Sequence, residues 1–363
     1  MISFILPIYN TPKEMLLECL QSIRQLQGVH YEILLIDDGS DEYIQVLGNQ
    51  LSQADAAIHY YRQENQGVSV ARNTGILRAT GEWLVFVDPD DVLVTNAHEA
   101  LHQLSNNPND ICFMGYQTFQ ETGVLDQFEG ADLLSVQKTN PAIGEILIAS
   151  LLEVSKDRFE NQGYYLGTPW GKAFKKAFLL EHELKFDAVL KKRQDALFCA
   201  QVYAHRPQVE IITTNSIVYG YRKDNPKSVS KRYNPQIKEL YLYLFAAMKA
   251  LGEAQSVDYS SSLSFYAYDL LKELTNLDFC NVHNSRSYSE RKQAFLTFRN
   301  NPVVQSYFAN YQVQGLGLGK RVLYLAEYKK WFFALNLIYL KRRAEQKLQT
   351  MQNSEGKVAT NQV

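Results

Sequence analysis

Short apolar runs alternate with stretches of helical periodicity over residues 2–87, and this alternation restricts the fold more than any other property of the chain. The runs are 2–8 (ISFILPI), 31–37 (YEILLID), 57–61 (AIHYY) and 83–87 (WLVFV). Runs this short and this continuously apolar read as strands buried on both faces, as in a parallel sheet. Between the first two, Met15, Leu16, Cys19, Leu20, Ile23 and Leu26 recur at helical spacing, and Pro12 suits the first turn of that helix. Further helices are expected from Gly39-Ser40 to about residue 54, and over 68–79. Strands joined by helices predict the α/β class, with a mostly parallel sheet and right-handed crossovers. Residues 110–119 read as one more strand.

In such a sheet, the loops leaving the carboxyl ends of the strands gather along one edge, where ligands bind. Three of these loops are polar: Pro7-Ile8-Tyr9-Asn10, Asp37-Asp38-Gly39-Ser40 and Asp88-Pro89-Asp90-Asp91. A nucleotide fits what they offer. Tyr9 can stack on a base, with Asn10 beside it, and Asp38 can accept a hydrogen bond from a base N–H. Asp88 can reach ribose hydroxyls. Asp88 and Asp90 are two residues apart, so an extended backbone points them the same way, and paired carboxylates can hold a divalent cation against a diphosphate. Each piece has a plainer reading: an acidic turn at 88–91, a helix cap at Asp37, a packed aromatic at Tyr9. One shared site accounts for all three loops together. Upstream of the last strand lies 65–75 (NQGVSVARNTG), in which Arg72 offers a forked cation for phosphate or carboxylate, or is a surface helix arginine.

From about residue 140 the rhythm changes. Helical patterns dominate at 141–153, 175–183 and 194–204, with short strands at 209–213 and 216–222. Beyond about 234 the chain reads as mostly helical, with Leu240, Leu242, Leu244, Phe245 and Met248 as apolar positions. The expected organisation is an α/β domain over 1–230, with halves at 1–110 and 111–230. A helical region over 231–350 and a polar, unstructured tail over 351–363 follow. The net charge of −2 gives no argument for nucleic acid as a partner. Cys19, Cys112, Cys199 and Cys280 are far apart and form no CxxC pair, which reads as buried, reduced thiols in a cytoplasmic protein. No basic-then-apolar leader opens the chain, and no apolar stretch reaches the ~20 residues that span a bilayer.

The motifs Pro7-Ile8-Tyr9-Asn10, Ile36-Asp37-Asp38-Gly39-Ser40, 65–75 and Phe86-Val87-Asp88-Pro89-Asp90-Asp91 resemble, in order and spacing, those of family 2 glycosyltransferases. The resemblance covers roughly the first hundred residues and implies a GT-A fold with a mainly helical C-terminal region. It implies that Pro7, Tyr9 and Asp38 lie around a base, usually uracil, that Asp88 contacts the nucleotide, and that Asp90 holds Mn2+ or Mg2+. It implies a nucleotide-sugar donor and a glycan or lipid-linked acceptor, in bacterial capsule or exopolysaccharide assembly. Farther on, Thr168-Pro169-Trp170-Gly171-Lys172-Ala173-Phe174 is similar to the family's Trp-x-Lys segment, which suggests acceptor-side roles for Trp170 and Lys172. Gln194-Asp195 is similar to the family's Glu-Asp pair at a helix start. The resemblance thus gives Asp195 the role of general base, although Gln194 stands where a Glu is usual; the plain alternative is a carboxylate favoured by the helix dipole. Tyr219-Gly220-Tyr221-Arg222 resembles a strand in which some relatives place a metal-binding His, here Gly220. The expected reaction is a single inverting displacement at the anomeric carbon, with Asp195 taking the proton of the acceptor hydroxyl.

Other readings compete. His98-Glu99-Ala100-Leu101-His102 matches the HExxH zinc-hydrolase pattern, which needs a third ligand that the sequence does not nominate. A GT-A-fold binding protein without activity is a further class, opposed by the retained Asp38, Asp88, Asp90 and Asp195. Gly315-Leu316-Gly317-Leu318-Gly319 follows no strand and reads as a joint. Residues 329–343 hold an apolar stretch between Lys329-Lys330 and Lys341-Arg342-Arg343. This suits a helix lying on the inner face of the plasma membrane, the favoured reading; the plainer one is a core-docking or dimerisation helix with charged ends.

Overall fold

In the computed structural model, the described residues are 1–119, 143–153, 165–205, 209–211, 217–223, 234–281, 283–302, 304–305 and 318–345. The expected alternation is realised as β1 (Ile2–Ile8), α1 (Lys13–Arg24), β2 (Tyr31–Asp37), α2 (Glu42–Ala54), β3 (Ile58–Arg62), α3 (Val68–Arg78) and β4 (Trp83–Phe86). These four strands are parallel, with Ile8 opposite Asp37, Asp37 opposite Arg62, and Ile5 opposite Phe86. Every residue of β1 and β4 is buried, which is why both appear in the sequence as apolar runs, broken only by Ser3. Pro7 is tolerated in a central strand because the β1–β4 ladder ends at Ile5 and Phe86, before the missing N–H would matter.

The chain continues through β5 (Val92–Leu93), α4 (Ala97–His102), β6 (Ile111–Phe113), β7 (Gly115–Phe119), α5 (Ile143–Glu153), β8 (Lys172–Lys175) and α6 (Lys176–Glu181). Then come α7 (Gln194–Ala204), β9 (Val209–Ile211) and β10 (Ile217–Arg222). The large sheet has the order β3-β2-β1-β4-β8-β6-β9, and β5-β10-β7 form a second one. Two expectations are corrected. Residues 110–119 form not one strand but two, in different sheets, and Met114 between them donates its N–H to Gly171 O at 2.9 Å. Residues 172–175, partly expected as helix, form the antiparallel strand β8 between β4 and β6. Leucine, valine and isoleucine side chains of β1, β2 and β4 pack with α1, α2 and α4 into one core.

Two glycines let α3 lie where it does. Gly67, which precedes it, has φ +97°, a conformation that L side chains rarely adopt. A Cβ on Gly75 would stand 2.3 Å from Ile5 Cγ2, so only glycine lets α3 press this closely on β1.

The chain divides into two compact units: Met1–Ser228 with Tyr243–Asp258, and Val229–Leu242 with Tyr259–Val363. α8 (Ile237–Gln255) contributes to both. The second unit holds α9 (Ser260–Leu274), a π-helical turn (Thr275–Phe279), α10 (Tyr288–Arg299), α11 (Leu318–Tyr328) and a helix over 332–345. Its core includes Leu274, Phe279, Phe295, Phe332 and Leu335. The helix expected over 329–343 starts instead at 332, because Lys330 takes φ 57° and ends the preceding helical run. The expected tail at 351–363 and most of the glycine cluster, 315–317, lie outside the described residues.

Candidate active site

The loops after β1, β2 and β4 do meet along one sheet edge. After β1, Tyr9 is 56% exposed, leaving its ring available to a planar ligand. Asn10 takes φ 47°, donates its N–H to Ser40 Oγ at 3.0 Å and accepts from Asp41 N–H at 2.8 Å. It therefore locks the first loop to the second.

The two aspartates that end β2 brace the protein. Asp37 is fully buried and accepts from Ser40 N–H at 2.8 Å, Arg62 Nη1 at 2.9 Å and the Tyr60 hydroxyl. Burial, followed by the bond to Asp37, pushes the Tyr60 hydroxyl up to about 12. Asp38 accepts from Gln63 Nε2 at 2.8 Å, Gln66 N–H at 2.9 Å and Gly67 N–H at 2.7 Å. Asp38 is buried, and its Oδ1 accepts two of these bonds and its Oδ2 one.

The centre of the site is Arg72, which α3 carries inward with only 3% of its surface exposed. Its Nη2 donates to Asp88 Oδ1 at 2.8 Å and its Nη1 to Asp195 Oδ1 at 2.5 Å. The guanidinium also lies over the Phe186 ring, 5.2 Å from its centroid. Asn73 fixes Phe186 by accepting its N–H and donating to its carbonyl, both at 2.8 Å. Phe186 in turn stacks on Phe198 of α7, with centroids 3.9 Å apart. Arg72 thus joins the end of β4 to the first turn of α7. Burial opposes its charge, but Asp195 and Asp88 outweigh it and hold the guanidinium firmly protonated. Asp195 is 25% exposed at its side chain. Burial raises its carboxyl above the ordinary value, Arg72 opposes that, and the charge of Asp88 adds to it. The result is a carboxylate of raised basicity that shares Arg72 with a second, partly exposed carboxylate, Asp88.

Asp90 is half-buried at the tip of the same loop, and Asp91 turns inward. Asp91 accepts from the Tyr219 hydroxyl at 2.6 Å and from Arg222 N–H at 2.8 Å. Tyr219 also accepts from Asp88 N–H at 3.1 Å, while Arg222 donates to Asp90 O and Glu18 Oε2, both at 2.8 Å. β10 therefore clamps the acidic loop. Burial, and then the neighbouring charges of Asp88 and Asp90, push the Asp91 carboxyl well up.

Trp170 and Lys172 support the site from behind. Lys172 is buried, donates to Tyr165 O at 2.5 Å and Thr168 O at 2.6 Å, and is lowered to about 8 by that burial. Trp170 is also buried and lies parallel to Tyr219 and Tyr221, with centroids 4.9 and 5.4 Å away. The aromatic with exposed surface is Tyr221, at 38%. The HExxH residues do not converge. His98 faces Thr95 O at 3.3 Å, His102 faces Gln27 O at 3.1 Å, and their rings stand edge to face.

Sequence reasoning singled out Pro7, Tyr9, Asn10, Asp38, Arg72, Asp88, Asp90 and Asp195, and the structure brings Arg72, Asp88 and Asp195 into direct contact. It gave no role to Asn73, Asp91, Tyr221 or Lys191. Lys191 donates to Gln66 O at 3.0 Å, ahead of α3. The signals existed as motif neighbours: Asn73 follows Arg72, Asp91 closes the acidic loop, and Lys191 opens the basic run before Asp195.

Residues 3–158 match the sequence profile of the family described as glycosyl transferase family 2. The chain is 31% identical to the glycosyltransferase GlyA of Streptococcus pneumoniae serotype 4 over 222 residues, which is 61% of this chain and 30% of that protein. It is 26% identical over 248 residues to EpsH of Bacillus subtilis (strain 168), whose name assigns it the same class provisionally; the match covers 67% of each. The chain thus spans less than a third of GlyA and two thirds of EpsH. Among solved structures, S. aureus TarS 1–349 in complex with UDP-GlcNAc superposes with a TM-score of 0.62 at 16% identity, covering 95% of this chain and 92% of that one. At that identity the likeness speaks for the fold. The similarity places residues 3–158 with glycosyltransferase family 2, and the fold is of the GT-A class.

Proposed function

We propose that the chain is an inverting, metal-dependent glycosyltransferase. It moves a sugar from a nucleotide diphosphate donor, UDP-linked, to a hydroxyl of a glycan or lipid-linked acceptor in cell-surface polysaccharide assembly. The observation that carries this is the Asp88–Arg72–Asp195 bridge, which sets a candidate base against the donor-side carboxylate. The family match over residues 3–158 supports the reaction class, and the UDP and UDP-GlcNAc complexes of TarS support the donor class.

The acidic loop suits a hard divalent cation. Asp88, Asp90 and Asp91 lie within four residues of one loop, and oxygen donors favour Mg2+ or Mn2+ over softer metals. Asp90, with Asp88, would hold the ion; when bound, it would neutralise the departing diphosphate. The chain's own residues do the rest. Tyr9 stacks on the base, and Arg72 and Lys191 supply positive charge on the donor side. The acceptor oxygen forms its bond to the anomeric carbon as the bond to the diphosphate oxygen breaks, and that electron pair leaves with the nucleotide. The acceptor proton passes to Asp195. As Asp195 becomes neutral, its hold on Arg72 weakens, and the guanidinium's charge is left for the diphosphate. Tyr221, stacked through Trp170, is the acceptor-side platform in this reading.

A panel of nucleotide sugars with Mn2+, scored for nucleotide release and transfer, tests the assignment together with Asp195→Asn. Release from a UDP-sugar that falls by about a hundredfold or more in the variant is expected. Full activity in Asp195→Asn would remove it as the base.

A further inference from the structure

We infer that the outer face of the α11 and 332–345 helices docks on an anionic lipid surface, as an in-plane anchor that does not span it. Both helices turn their buried residues toward the same layer of the second unit. Tyr324 of α11 meets Tyr268 of α9, and Phe332 meets Tyr288 and Phe295 of α10. The Tyr339 hydroxyl donates to Lys272 O at 3.0 Å, and Arg343 donates to Asn276 O at 2.6 Å. What is exposed on each helix therefore lies on the side away from α9 and α10.

That side is unusually apolar. α11 exposes Val322, Leu325 and Tyr328 at one-turn spacing. Across the turn, Trp331 (59%) is followed on the next helix by Phe333 (66%), Leu337 and Leu340. Isolated exposed apolar residues are ordinary on a soluble protein, but a run of this kind along two consecutive helices is not. Cations frame it: Lys329 and Lys330 at the turn, Lys341 and Arg342 at the far end.

The charge decides between occupants. Residues 318–345 hold seven Lys or Arg against two Glu, in a chain whose net charge is −2. One of the two, Glu327, is fully buried, and burial raises its carboxyl to about 8, so it offsets little of this charge at neutral pH. A second copy docking through the same face would bring like charges together. Anionic headgroups neutralise them, while Trp331 and Tyr328 suit the headgroup level and the leucines the acyl boundary. No helix among the described residues is long and apolar enough to cross a membrane, which fits a contact in its plane.

Flotation of the full chain with phosphatidylcholine vesicles, with and without phosphatidylglycerol, tests this without donor or acceptor, so its outcome is independent of the catalytic reading. Co-flotation is expected with the anionic vesicles and should weaken as salt screens the charges. Trp331 emission should shift to the blue, since Trp83 and Trp170 are already buried. Phe333→Ser with Leu337→Ser changes only exposed positions, so the fold should hold by circular dichroism, and the blue shift should vanish. Lys329→Glu with Lys341→Glu should lower partitioning by more than about tenfold. The inference is overturned if wild type stays unbound, or if folded variants float as well as wild type. It is equally overturned if the serine variant merely converts an oligomer to a monomer in light scattering.

Discussion

Arg72 is the residue on which the catalytic reading turns, because a single buried guanidinium holds two carboxylates that would otherwise repel. Burial drives the Asp195 carboxyl up and Arg72 drives it back down. A base must be deprotonated to act, so activity should rise with pH through the Asp195 ionisation. Removing the opposing cation in Arg72→Gln should therefore move the acid limb of kcat/KM to higher pH. It should also lower kcat by about 10²–10³-fold, the usual cost of losing one preorganised electrostatic partner. A pH–rate profile of nucleotide release checks both, and an unmoved limb would separate Arg72 from the base. Arg72→Lys should recover little, since an ammonium cannot fork between Asp88 and Asp195 at their present positions.

At the scale of elements, what could be read from the sequence followed burial. β1, β2 and β4 were legible because burial on both faces leaves a mostly apolar run. The division of 110–119 was not, since the hydrogen bond from Met114 to Gly171 that accompanies it is a tertiary fact. For the same reason Asp91 had no legible role: its partners, Tyr219 and Arg222, arrive on β10 from far along the chain. The acidic loop was visible as chemistry, whereas its clamp was not. Two elements carry predictions. Gly75→Ala would drive a methyl into Ile5 where α3 meets β1, and should destabilise the first unit by about 1–3 kcal/mol in denaturant melts. On β10, Tyr221→Ala should raise the acceptor KM with little change in donor hydrolysis, and Tyr221→Phe should restore it, because stacking needs the ring and not the hydroxyl. Equal loss of donor hydrolysis would place Tyr221 on the donor side instead.

On the scale of the whole molecule, the two units stake their stability on different groups. The first is knit by carboxylates that are ion-paired or hydrogen-bonded: Asp37 to Arg62, Asp38 to the 63–67 segment, Asp88 and Asp195 to Arg72. The second buries Glu327 beside Thr275 of the π-helical turn. Burial is the leading cause that raises this carboxyl to about 8, with Thr275, Arg299 and Lys272 only partly opposing it. The sign follows from linkage. A folded-state value above the unfolded one means that the neutral carboxyl belongs to the native protein, and its ionisation favours unfolding. The stability it provides is complete below the unfolded value of about 4.5 and is lost as pH rises toward about 8. Thermal melts of the full chain between about pH 6 and 9 should show an unfolding transition that falls with pH. Glu327→Gln, which keeps the shape and removes the ionisation, should raise that transition most at the alkaline end and flatten its dependence. If the glutamine variant and the wild type fall in parallel across this range, ionisation of Glu327 is not what limits the second unit.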